Sequence, residues 1–226
     1  MPRILIALLA LALGIQLAAV ILALPAASGP LPALVAAHLD ASGVSHPVTA
    51  VLLNFRGYDT LLEIGVLILA VLGALTMRQA ADSGAQITPP AGAVLASLTA
   101  LAVPLMVVVA GYLLWAGAHQ PGGAFQAGAV LAAAGVLLRL SGRLPSLEPR
   151  FWLRAGLLIG FAVFLAVALG TTLAGRALLG YPPDQAGAWI LLIEAGLTLS
   201  IALILVSLFV GAPAPPGTDR PADQQP

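Results

Sequence analysis

Three charged side chains stand at the start of a long apolar segment, in the stretch NFRGYDTLLEIGVLIL at residues 54–69. A helix turns by ~100° per residue, so Arg56, Asp59 and Glu63 would fall within about 60° of one another and form a polar stripe with Thr60. Charged groups inside a bilayer are costly and commonly mark an ion or proton path. The spacing therefore predicts that Glu63 and Asp59 are ion-path candidates.

Arg56 and Asp59 also have a simpler interpretation, an interfacial ion pair that anchors the end of the helix. Glu63 lies one turn deeper, where an anchoring role fits less well. A carboxylate at that position could change its protonation when a cation arrives, because an opposite charge within ~4 to 6 Å favours the ionised form. Glu63 is therefore the residue of this stretch for which we most expect a functional role.

A second intramembrane carboxylate, Glu194, lies in the last apolar segment and is followed one turn later by Thr198. No cation accompanies Glu194 in the sequence. An unpaired glutamate at membrane depth either takes up a proton or finds a partner on another helix. Glu194 and Thr198 are therefore further ion-path candidates, and the alternative for Glu194 is a hydrogen bond that merely ties two helices together.

The segment HQPGGAFQAG, residues 119–128, joins two apolar stretches. A proline followed by two glycines predicts a tight turn that allows close backbone approach. The turn could line an aqueous vestibule or be a plain hairpin, since free backbone groups at membrane depth must face protein or water. His119 is interpreted as a loop histidine, and His38 and His46 lack metal-ligand spacing, so no metal site is predicted.

Composition predicts an integral membrane protein, since 60% of the 226 residues are hydrophobic, 8% are charged and the mean hydropathy is +1.05. The formal net charge is zero and lysine is absent, which excludes a basic nucleic-acid patch. Without cysteine the chain cannot hold disulfides, thiolate clusters or a catalytic thiol. No catalytic motif is present, so we predict neither catalytic residues nor a cofactor.

Six apolar segments are long enough to cross ~30 Å of hydrocarbon, which predicts an all-α polytopic membrane protein with about six transmembrane helices. The fourth segment is the shortest. Pro/Gly-rich connectors separate the segments, and residues 211–226 are predicted to form a disordered tail. The predicted spans are residues 4–24, 59–77, 94–117, 123–140, 152–173 and 187–210.

Arginine placement predicts the orientation, because cytoplasmic ends carry the excess of positive charge. With both termini in the cytoplasm, only Arg56 and Arg176 of the nine arginines lie outside. The polar stripe, the turn at residues 119–128 and Glu194 then belong to the outer ends of helices. They could converge on one opening at the outer side of the membrane. The first apolar run is longer than the roughly 7 to 15 residues of a signal peptide, which favours a retained anchor.

Three motifs resemble known families. NFRGYDTLLEIGVL, preceded by HPVTAVLL, resembles the motif of the MbhE-like region of membrane-bound hydrogenases. HQPGGAFQAGAVLAAA and IEAGLTLSIALILVSLF resemble the glycine-rich turn and the last helix of the MnhB/MrpB family, which supplies one of the chains of Mrp-type multisubunit Na+/H+ antiporters. The resemblance implies an MbhE-like region of two helices at residues 1–80 and an MnhB-like region of four helices at residues 90–210.

The resemblance implies an accessory, non-enzymatic subunit of a multisubunit sodium/proton antiporter in a bacterial or archaeal cell membrane. Its expected partners are large complex I-like subunits and small helical subunits, with Na+ and H+ as transported ions. A chain of an energy-converting hydrogenase or related oxidoreductase, and a purely structural scaffold, remain open as alternatives. The family pattern draws attention to Arg56, Asp59 and Glu63, and, as a structural turn, to Pro121, Gly122, Gly123 and Phe125.

Overall fold

The computed structural model describes residues 2–23, 29–80, 92–144, 151–182 and 184–211, and within these ranges it is all-α without strands. Among these residues, short helices occur only between the first two predicted spans. The α-helices are, in chain order, α1 (Pro2–Leu22), α2 (Leu31–His38), α3 (Pro47–Ala50), α4 (Gly57–Ala80), α5 (Ala93–Ala116), α6 (Ala124–Leu140), α7 (Phe151–Leu173) and α8 (Ala186–Gly211).

Of the helices described, α1, α4, α5, α7 and α8 are long and apolar enough to cross a membrane. The fourth predicted span coincides with α6, which is apolar but has only 17 residues. The predicted fold class, an all-α polytopic membrane protein, is confirmed. The number of spans and the side on which the termini lie stay predictions, and the predicted tail beyond Gly211 lies outside the described residues.

The chain divides into two compact units, Met1–Ala37 and His38–Pro226. The first unit contains α1, whose 21 residues give a length of about 31 Å at 1.5 Å per residue. That length matches the hydrocarbon core of a bilayer. Retention of α1 as an anchor stays a prediction, as does the family-based boundary between residues 80 and 90.

In the second unit α8 is the central helix, and it packs against α4, α6 and α7. It is apolar nearly all round, as expected for a helix surrounded by protein and lipid. Small residues bring its neighbours close: a Cβ added to Gly160 of α7 would lie 2.9 Å from the Cα of Leu197. The fully buried side chains of α8 include Ile190, Ile193, Leu197, Ile201 and Ile204.

The stretch that precedes α4 is folded, which was not predicted from the sequence. A 3-10 helix at Leu39–Ser42 leads into α3 and then into a π-helix at Val51–Phe55. Two side chains bind carbonyls of this π-helix: Thr60 Oγ1 donates to Leu52 at 2.7 Å and Tyr181 Oη donates to Leu53 at 2.9 Å. Burial raises the pKa of Tyr181, which keeps its hydroxyl protonated as a donor. π-Helical turns are rare overall, and those that occur are often found at functional sites.

Candidate functional site

A cavity of about 200 Å³ lies among the π-helix, the start of α4, the α5–α6 turn and α8. No arginine or histidine is among the described residues that line it. Its apolar wall comes from residues such as Leu53, Phe125 and Leu197. Its polar lining is made by the side chains of Thr49, Thr60, Glu63, Gln126 and Glu194.

Glu194 is the most enclosed charged group of this cavity, with 3% of its surface exposed. Its Oε1 accepts a hydrogen bond from the backbone N–H of Ala124 at 3.3 Å. Ala124 begins α6, and the N-terminal end of a helix stabilises negative charge. Among the described residues no group hydrogen-bonds to the buried Oε2. Buried polar atoms are almost always satisfied, so this oxygen can take a proton, a water or a cation.

Two glycines make room for the Glu194 carboxylate. Gly123 has φ 103° and ψ −171°, a backbone conformation available essentially to glycine alone. A Cβ at Gly123 would lie 2.6 Å from Glu194 Oε1, and one at Gly117 would lie 3.3 Å from the same atom. The turn is held by the Gly123 N–H, which donates to the carbonyl of Leu113 at 2.8 Å. The glycine-rich turn therefore forms one wall of the carboxylate site.

Glu63 lines the same cavity from α4, although its side chain is also exposed. The structure thus brings together Glu63, Glu194 and the turn, which are far apart in the sequence. Two carboxylates around one cavity, without a described cation beside them, favour binding of protons or cations.

Asp59 and Arg56 form an ion pair away from the cavity, in which Arg56 Nε donates to Asp59 Oδ2 at 2.6 Å. Their side chains are 34% and 69% exposed, so the pair contributes roughly 0–1 kcal/mol. Arg56 precedes α4 and therefore lies outside the helix that carries Asp59 and Glu63. Thr198 also lies off the cavity lining, and its hydroxyl donates to the carbonyl of Glu194 at 2.7 Å.

Of the predicted turn residues, Gly122, Gly123 and Phe125 line the cavity, while Pro121 is exposed and does not. Sequence reasoning missed the residues from α3 and the π-helix, since HPVTAVLL was noted only as part of a motif. Thr49 is the clearest of them, because its Oγ1 donates to the carbonyl of Gly117 and ties α3 to the turn.

No cluster of three His, Cys, Asp or Glu side chains that could hold a metal occurs among the described residues. His119 Nδ1 lies 3.1 Å from Ser45 Oγ, at the surface of the turn. His46 lies on the same side of the bundle, and its backbone N–H donates to the carbonyl of Ala118 at 3.1 Å. These two histidines therefore belong to contacts between the α5–α6 turn and the stretch before α3.

Comparison with known proteins gives a family and a fold. Residues 94–213, more than half of the chain, match a family described as a domain related to the MnhB subunit of Na+/H+ antiporter. No curated protein gives a significant match.

Two solved structures share the fold. One is a chain of the membrane-bound sulfane sulfur reductase, an archaeal respiratory membrane complex, with a TM-score of 0.69, 22% identity, and coverage of 92% of this chain and 97% of that one. The other is a chain of the Mrp complex from Dietzia sp. DQ12-45-1b, with a TM-score of 0.67, 20% identity, and coverage of 97% of this chain. The present chain spans 26% of the length of that Mrp chain.

Proposed function

This chain belongs to the family of domains related to the MnhB subunit of Na+/H+ antiporters, and from that premise we propose that it is a membrane subunit of a multisubunit cation/proton antiporter. In this proposal the protein lies in the cell membrane of a bacterium or archaeon, with both termini in the cytoplasm. Large complex I-like subunits and small helical subunits are its partners. The chain itself carries out no catalysis.

The observation that carries the proposal is the cavity that Glu63 and Glu194 share. Burial penalises the charge of a carboxylate, and either a proton or a bound cation neutralises it. Glu194 Oε2 is buried and has no hydrogen-bond partner among the described residues. It is therefore the atom for which the proton and the cation would compete. Competition for one carboxylate couples the arrival of Na+ to the departure of H+.

In this mechanism the turn and the N-terminal end of α6 hold the carboxylate in place. The Ala124 N–H binds Oε1 and leaves Oε2 free for the transported ion. Glu63, which is more exposed, links the buried carboxylate with the outer surface. Arg56 and Asp59 only fix the end of α4.

A second candidate is a membrane chain of an energy-converting oxidoreductase, in which electron transfer in other chains drives the same ion movement. The similarity to the sulfane sulfur reductase complex favours it, because the alignment covers 97% of a single chain of that complex. With no cysteine in the present chain, thiolate-held iron–sulfur clusters would have to lie in its partners. A hydrogenase-type complex is one form of this alternative.

We expect purification through a tag on this chain, in mild detergent, to recover a complex of other antiporter subunits without flavin, haem or iron. Mass spectrometry would identify the chains, and absorption spectra with iron analysis would detect redox centres. A matched preparation from cells with an untagged chain sets the background. Recovery of an oxidoreductase large subunit with bound iron would support the second candidate, and recovery of the chain alone would contradict both.

A further inference from the structure

A second and larger cavity, of about 440 Å³, lies between α7 and α8 and the connection that joins them. It shares none of its described lining residues with the carboxylate cavity. Its volume falls in the range of roughly 300–1,000 Å³ that small-molecule sites occupy. Several of its lining residues, including Gly170, Arg176 and Trp189, are exposed, so the cavity is a groove open to the surroundings.

The groove is apolar along the helices and polar at one end. Val163, Ala166 and Gly170 follow one face of α7 at helical spacing, and their small size creates the depression. Arg176 and Gln185 lie in the connection, beyond the last turn of α7. The lining therefore changes from apolar to cationic where the spanning helices end.

Arg176 has no carboxylate within salt-bridge distance among the described residues. Trp189, in the first turn of α8, lines the same groove, and tryptophan is enriched at the membrane–water interface. A guanidinium at the polar end of an apolar groove complements a ligand that has one anionic group and a hydrocarbon chain. The helices that form the groove are long and apolar enough to span a membrane, where phospholipid is the surrounding medium.

We infer that this groove binds an anionic glycerophospholipid, with the phosphate on Arg176 and Gln185 and an acyl chain along α7 between Gly170 and Val163. The phosphate supplies the counter-charge that Arg176 lacks, and the guanidinium can bind it through two parallel hydrogen bonds. The acyl chain fills space that no described side chain occupies. The lipid would stabilise the connection between α7 and α8.

The test uses the full chain, in its complex, in vesicles that hold equal amounts of phosphatidylcholine and phosphatidylglycerol, one of which carries a photoactivatable acyl chain. We expect about fivefold more label from phosphatidylglycerol on peptides of α7 and α8, the preference that one interfacial arginine gives. Arg176→Gln should remove this preference and Arg176→Lys should keep most of it. Gly170→Leu, which fills the groove, should remove the excess of phosphatidylglycerol label and lower both lipids to the level that the surrounding bilayer gives.

Gly170 suits this test because a Cβ added there meets no atom within 4 Å. Gly73→Leu is the matched control, since Gly73 is another exposed helical glycine with the same open surroundings and lies on α4. Ala166→Leu fills the same groove one turn away if Gly170→Leu fails to assemble. The proposal would be overturned by equal labelling with the two lipids, or by labelling that both filling variants leave unchanged. It would also be overturned if a photoreactive amino acid at position 170 formed a crosslink to another protein subunit.

Discussion

Exchange of Na+ for H+ in everted vesicles should fall by more than about tenfold when Glu194 is replaced by glutamine, while the amount of assembled complex stays the same. Glutamine has the shape of glutamate and can still accept the Ala124 N–H, so the packing of α8 against the turn is preserved. The amide can neither release a proton nor neutralise a cation. Removing a proton-transferring side chain from an enzyme costs roughly 10²–10⁴-fold, which sets the expected scale.

The measurement is the cation-dependent dissipation of a pH gradient, followed with a fluorescent dye at several pH values. Asp40→Asn is the matched control, because Asp40 is an exposed carboxylate outside the cavity lining and should be dispensable. Glu63→Gln is expected to give a smaller loss, since Glu63 is the more exposed of the two. Unchanged exchange across the pH range in Glu194→Gln would favour the remaining alternative, a purely structural scaffold.

Gly123→Ala should abolish most exchange with only a moderate loss of stability. The added Cβ would lie 2.6 Å from Glu194 Oε1, so the carboxylate must leave its place at the start of α6. The backbone strain at φ 103° costs about 1–3 kcal/mol in addition. Exchange per assembled complex and the thermal unfolding temperature, measured on the same preparation, separate displacement of the carboxylate from general destabilisation.

Gly142→Ala is the control for the backbone, because Gly142 also has a positive φ, 70°, but a Cβ there meets no atom within 4 Å. It should lower the unfolding temperature slightly and leave exchange intact. Equal losses of exchange in Gly123→Ala and Gly142→Ala would show that strain alone, without the contact to Glu194, accounts for the effect.

The helices could be predicted because their signal is local. Each of the six apolar segments coincides with a helix, since a long apolar run in lipid must satisfy its own backbone hydrogen bonds. The stretch from Leu39 to Phe55 could not be predicted in the same way. Its short helices are held by distant partners: Tyr181 donates to the carbonyl of Leu53 in the π-helix, and Thr49 of α3 donates to the carbonyl of Gly117.

The acidic residues of the candidate site could be found from the sequence because charge is conspicuous in an apolar segment. The Arg56–Asp59 ion pair could also be predicted, because the two residues lie three positions apart at a helix end. The cavity that Glu63 lines could not, since elements that are distant in the sequence form it. The contact between Gly123 and Glu194 joins residues 71 positions apart, and only the packing of α6 on α8 brings them together.

The central claim, that the cavity of Glu63 and Glu194 lies on the ion path, is tested most directly by cysteine labelling. The chain has no cysteine, so Val48→Cys introduces a single thiol into it, at an exposed residue of the cavity lining. The complex without this substitution shows how much reagent reacts elsewhere. Val66→Cys, similarly exposed on α4 but off the cavity, is the control. We predict that a membrane-impermeant thiol reagent, applied to intact cells before the everted vesicles are prepared, stops exchange in Val48→Cys and not in Val66→Cys. Labelling of Val48→Cys only from the cytoplasm, or full exchange by the labelled complex, would contradict the account.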